Sequence, residues 1–159
     1  MNLDPDEARR RFTAARCAHL ATADAAGVPH LVPVTFACDG DRVYIAVDAK
    51  PKRSHDLRRL RNIRDNPNVA LLADEYDDDW SRLWWVRADG SARVLDAEHH
   101  EAEAQAGPED RARARAERRR TIGLLQTRYP QYLANVPQGP VIEVSVDRWS
   151  GWAFADPHA

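Results

Sequence analysis

The chain is poor in the residues that mark specialised chemistry. It has two cysteines, Cys17 and Cys38, with no metal-ligand spacing between them, which excludes a zinc centre or a disulfide framework. They read as reduced, buried thiols of a cytosolic protein, a disulfide between them being the lesser alternative. None of its seven glycines falls in a GxGxxG or GxSxG pattern, so neither a Rossmann dinucleotide site nor a serine-hydrolase elbow has support. No apolar run approaches the roughly 20 residues that cross a bilayer. The N-terminus is charged and lacks the apolar core of a secretory leader, so a cytoplasmic location is expected. Charge of either sign is not in excess: 23 Lys and Arg face 25 Asp and Glu, so no global field draws the chain to nucleic acid. What is present, 43% hydrophobic and 30% charged residues over 159 positions, suits a single soluble domain, 1–159, with a sizeable core.

The most informative stretch runs from Val47 to Asn66, VDAKPKRSHDLRRLRNIRDN. It leaves a strand and becomes a helix. Ser54 is a preferred N-cap, and Leu57, Leu60 and Ile63 then keep one apolar face. Asn66-Pro67 stops the helix, because the residue before proline avoids the helical region. Lys50, Lys52 and Arg53 thus converge where a first helical turn leaves N–H groups unpaired. Backbone donors and the positive dipole end favour a phosphate or carboxylate there. A solvated cationic surface would explain the lysines and arginine alone. The coincidence with a strand end and a cap favours the anion site.

Around this stretch the pattern is mainly β. Asp4-Pro5-Asp6-Glu7 predicts a capped helix start, with Ala8, Phe12 and Ala15 on one face and arginines on the other. Strands are predicted at 18–23, 29–37 and 42–48, with turns at 24–27 and 39–40. Pro29 and Pro33 each remove a ladder donor and so call for an edge or a bulge. A further strand is predicted at 69–73. Another, Trp80 to Val86, turns at Ala88-Asp89-Gly90 into a strand from Ser91 to Leu95. Residues 96–129 favour helix, divided by Gly107-Pro108, and Val141 to Asp147 alternates as a last strand. Trp149 to Phe154 then forms an aromatic end. Consecutive hairpins rather than alternating βαβ units indicate an antiparallel sheet.

Three tempting motifs fail on inspection. Asp74 to Asp79 lacks the spacing of a calcium loop and reads as a solvated acidic loop. The arginines from Arg111 to Arg120 are interrupted by Glu117, preceded by Glu109 and Asp110, and carry no aromatic platform, so they read as a solvated helix face. His99-His100-Glu101 would need a histidine at position 104, where Ala104 stands.

GVPHLVPVTFACDGDRVYIAVDAKPKRS, then LRRLRNIRDNPNVALLAD, then DWSRLWWVRADGSARVL resemble the pyridoxamine-phosphate-oxidase-like split β-barrel family. Within it the chain looks most like the branch that depends on the deazaflavin F420. The resemblance is good over residues 18–95 and weaker over the strand carrying Trp149 and Trp152. It implies a mainly β (α+β) fold of the FMN-binding split-barrel type, an antiparallel barrel with flanking helices and a helical insertion at about 96–129. It implies a homodimer with cofactor sites in the interface groove, a small-molecule substrate, and no nucleic-acid partner or membrane span. The cofactor phosphate would meet Arg53 and Ser54, with Lys50, Pro51 and Lys52 beside them. The ring would lie along Val34, Thr35 and Phe36, near Trp80, with Trp152 reaching in from the other subunit. The implied function is F420-dependent hydride transfer with a planar or apolar substrate. FMN-dependent oxidoreductase chemistry is the first alternative, and non-catalytic flavin, deazaflavin or haem binding the second. No side chain is assigned as catalytic, since the cofactor carries the chemistry.

Overall fold

A computed structural model describes residues 1–47, 57–95 and 107–154; of Arg111 it describes the backbone alone. The N-terminal helix α1, Pro5–Ala14, begins where the sequence predicts: the Asp4 carboxylate accepts the Glu7 N–H at 2.9 Å and Pro5 opens the first turn. Glu7 does not reach back to complete a capping box. Its carboxylate is buried and paired with Arg10 and Arg11 instead. Ala8 and Phe12 point into the core, where the Phe12 ring meets Phe36 at 4.7 Å and Trp149 at 5.3 Å.

Seven antiparallel strands form one sheet in the order β2-β1-β5-β6-β7-β4-β3. They are β1 Ala18–Ala23, β2 Pro29–Val34, β3 Ala37–Asp39, β4 Arg42–Ala46, β5 Asn68–Glu75, β6 Trp84–Leu95 and β7 Val141–Ala153. The prolines of β2 sit on an edge strand, where a missing N–H costs no ladder bond. Gly27 and Gly40, with φ of +79° and +59°, make the two tight turns that precede β2 and β4. The remaining helices are α2 Arg58–Asp65, α3 Pro108–Arg128 and the single turn α4 Gln131–Ala134.

Five expectations need correction. The 29–37 strand breaks at Thr35–Phe36, so that β2 and β3 lie at opposite edges of the sheet. That two-residue corner joins the edges and gives the split-barrel curl. Trp80–Arg82 is a 3₁₀ turn capped by Asp79, not the start of a strand. Ala88-Asp89-Gly90 is not a hairpin turn. β6 runs straight through it, with a bulge against β7 between Asp89 and Gly90. A Cβ at Gly90 would lie 2.1 Å from the Ser145 carbonyl oxygen, so this glycine serves close backbone approach rather than reversal. The last strand, likewise, continues past Asp147 to Ala153. Cys17 is exposed and Cys38 half-buried, so only Cys38 resembles the expected buried thiol.

Helices α1 and α2 fill the inside of the curl. Leu20, Val43, Leu60, Leu71, Val86 and Ile142 form the main core with Phe12 and Phe36. A buried hydrogen bond, Asn62 Nδ2 to Thr22 Oγ1 at 3.0 Å, fixes α2 on β1. Helix α3 covers the opposite face of β3, β4 and the first part of β7, packing Ile122 and Leu125 on Ala37, Tyr44 and Val141. Its arginine-rich half carries no apolar stripe and is tethered by charge: Arg93 pairs with Glu117 at 2.6 Å and with the buried Glu143 at 3.0 Å, and Arg120 pairs with Asp39.

Candidate cofactor site

The corner Thr35–Phe36 lies between the two sheet edges and beside the exit of β4. Ala37, the first residue after the corner, pairs with Tyr44 of β4. Of the three residues expected along a cofactor ring, Val34 and Phe36 turn their side chains into the core, at 8% and 0% exposure. Only Thr35 faces outward. Its Oγ1 is 3.0 Å from the Tyr132 hydroxyl. The Phe36 N–H donates to the Tyr129 hydroxyl at 3.2 Å, and that hydroxyl donates to the Arg16 carbonyl at 3.0 Å. The Arg128 guanidinium lies over the Phe36 ring at 5.0 Å. Neither tyrosine was marked by the sequence. The signal for them is the Tyr-Pro-x-Tyr end of α3, which places two rings one turn apart.

Lys50, Pro51, Lys52, Arg53, Ser54 and His55 lie outside the described residues. Their flanks are described. Val47 is buried and its N–H donates to the Pro140 carbonyl at 3.0 Å, which holds the end of β4 in place. Helix α2 starts later than predicted: Leu57, not Ser54, is its N-cap, and leucine offers no side-chain acceptor. Among the described residues no side chain caps the first-turn donors. Arg58 and Arg61 are exposed on this turn, and Arg58 stands 3.9 Å from Asp24. His30 on β2 reports the local field. Burial, with the Arg58 and Arg59 charges second, holds its imidazole below the usual histidine range, and its buried Nδ1 has no hydrogen-bond partner. An exposed, uncapped helix start beside extra positive charge fits the anionic part of a cofactor.

Trp80 is 61% exposed on its 3₁₀ turn. Trp152 pairs across the ladder with Trp85 and packs edge-on against Phe154 at 6.4 Å. Both tryptophans belong to the Ala153 end of β7, whereas Ala46 pairs with Val141 at the other end. Burial pushes the Cys38 thiol above its usual range, so it is no ready nucleophile. Among the described residues no group of three or more His, Cys, Asp or Glu could hold a metal ion, and no helix is long and apolar enough to cross a membrane.

The family model for pyridoxamine 5'-phosphate oxidase matches residues 4–153. The chain belongs to this family. No curated protein matches it in sequence. Similar solved structures include an FAD-binding protein of Mesorhizobium loti, with 18% identity, TM-score 0.64 and 95% of each chain covered. The haem storage protein HutZ of Vibrio cholerae has 14% identity, TM-score 0.62 and 95% coverage of each chain. The FAD-binding protein of Mycobacterium smegmatis has 18% identity, TM-score 0.59, and coverage of 98% of this chain and 100% of that one. At these identities the likeness establishes the split-barrel fold shared by this family.

Proposed function

We propose that this chain is an F420-dependent oxidoreductase of the pyridoxamine 5'-phosphate oxidase family, acting as a cytoplasmic homodimer on a small planar or apolar substrate. The observation that carries this is the start of α2. Among the described residues no side chain caps it, Arg58 and Arg61 stand exposed on its first turn, and it is the next described element after β4; the outward hydroxyl of Thr35 would serve the same cofactor. The cations Lys50, Lys52 and Arg53 and the hydroxyl of Ser54 stand in the connecting sequence and would grip the phosphate; Pro51 would shape that turn. The deazaflavin, when bound, supplies the hydride. The protein's part is to bind, orient and exclude water. Thr35 would address the ring edge, with Val34 and Phe36 contributing backbone and support from beneath. Trp80 and Trp152, at the far end of β7, would approach the ring from the second protomer. The acidic tail of the deazaflavin favours the larger cation set over a compact single phosphate, which is why F420 ranks above FMN.

A second protomer has an apolar surface to meet. The uncovered outer face of β2, β1, β5 and β6 exposes Leu31 at 65%, Leu72 at 37% and Trp85 at 39%. A shallow concavity of about 570 Å³ there is lined by His19, Leu31, Leu72 and Trp85. FMN-dependent chemistry on the same barrel is the runner-up. Non-catalytic flavin or haem binding is supported by the names of the FAD-binding and haem storage neighbours. Titration of apo-protein with F420, FMN and haem, followed by fluorescence and absorbance, decides among these. F420 binding tighter than FMN, with turnover of an acceptor, is expected. Tight haem or flavin binding with no turnover in a broad acceptor screen would favour the binding-protein alternative.

A further inference from the structure

Tyr132 stands on α4, in a segment to which the family resemblance assigns nothing. Its backbone is held on α3 by Gln126, whose Nε2 donates to the Tyr132 carbonyl at 3.1 Å. Its ring meets Tyr129 edge to face, with centroids 6.0 Å apart. Its hydroxyl reaches the Thr35 hydroxyl at 3.0 Å. Either hydroxyl could donate; a phenol, with a pKa of about 10, is a stronger acid than an aliphatic alcohol, which favours Tyr132 as donor and Thr35 as acceptor. With Tyr132 as donor, the hydrogen of the exposed Thr35 hydroxyl is available to an outside acceptor. Its neighbours at this corner are committed: the Phe36 N–H to Tyr129, the Phe36 ring to the core, and the Tyr129 hydroxyl to Arg16.

We propose that Tyr132 is a positioning residue for the cofactor: it holds Thr35 as a preset hydrogen-bond donor to a carbonyl or ring nitrogen on the edge of a flavin-type ring. This rests on the cofactor site proposed above. A threonine hydroxyl without such an acceptor demand rotates freely or bonds back to its own chain. Fixing it in advance lowers the ordering cost of binding.

The test measures affinity and the absorption band of bound F420 and FMN for wild type, Tyr132→Phe, Thr35→Val, Thr35→Ser and the Tyr132→Phe/Thr35→Val pair. Tyr132→Phe should weaken binding about 3- to 10-fold, the scale of one hydrogen bond, and move the bound band toward that of free cofactor. Thr35→Val should do at least as much, and Thr35→Ser should bind like wild type. Adding Tyr132→Phe to Thr35→Val should change nothing further, because both act through one hydroxyl. A merely structural tyrosine would not move the band. Tyr132→Phe with wild-type affinity and band, or penalties that add in the pair, would overturn the proposal while leaving the cofactor site standing. If wild type binds neither F420 nor FMN, the cofactor site itself fails and the proposal goes with it.

Discussion

The two halves of the sheet's outer face are built alike and completed differently. Over β3, β4 and the start of β7, helix α3 lies on Ala37, Tyr44 and Val141, and its own Leu125 is fully buried against them. Over β2, β1, β5 and β6 the same alternation of residues presents Leu31, Leu72 and Trp85 to the outside. The helix that covers the first half is itself hybrid. Its last turns pack by apolar contact, while its arginine-rich turns are held through Arg93, Glu117 and the buried Glu143. An exposed apolar sheet face of this kind marks an interaction surface. The homodimer proposed above would cover this second half.

The largest expected effect contrasts the halves directly. Leu125→Ala, on the buried face of α3, should cost about 2–5 kcal/mol of folding stability, as large-to-small core changes do. Leu72→Ala, on the uncovered half, should cost well under about 1 kcal/mol in the isolated protomer. Denaturant unfolding of both at low protein concentration checks this, and equal costs would break the contrast. Next in size is the electrostatic tether. Glu143→Ala removes the acceptor shared by Arg42 and Arg93, and should cost about 1–3 kcal/mol while raising hydrogen exchange along the first half of α3. The two arginines are half exposed and regain water, which keeps the cost below that of a stranded buried charge. Unchanged exchange in that half would show that the ion pairs do not hold it.

The smallest effect belongs to the uncovered half's edge strand. Burial, with the Arg58 and Arg59 charges second, holds the folded pKa of His30 below the unfolded value of about 6.5. The unfolded chain then binds more protons, and stability present above about 6.5 is lost as pH falls through the folded value. His30→Gln should flatten the pH dependence of unfolding between about pH 7 and 5. An anion bound at the start of α2 should raise the His30 pKa, visible in its imidazole proton signals. No movement on adding cofactor would place the anion elsewhere.

Much of this was legible in the residues. Asp4-Pro5 and the turns at Gly27 and Gly40 each have one physical outcome, and the structure takes it; the two prolines of β2 allowed an edge or a bulge, and the strand lies at an edge. Ala88-Asp89-Gly90 has two. The same tripeptide suits a hairpin turn or a bulge in a long strand, and only the close approach of Ser145 chooses. Ser54 and Leu57 compete as helix starts, and cap chemistry alone favours the wrong one. At the site, the family resemblance named Val34, Thr35 and Phe36 together. It could not tell which side chain turns outward, because that depends on the corner that splits the strand. Tyr129 and Tyr132 were invisible because their partners lie some 90 residues away in sequence.

The most direct test of the proposed completion of the bare face is sedimentation velocity of wild type and Leu72→Asp, each saturated with F420 and scored for cofactor bound per chain. The account predicts a wild-type dimer with one cofactor per protomer, and a folded Leu72→Asp monomer that has lost most of its cofactor affinity. A monomeric wild type that binds F420, or a Leu72→Asp monomer that binds it as tightly as wild type, would contradict it.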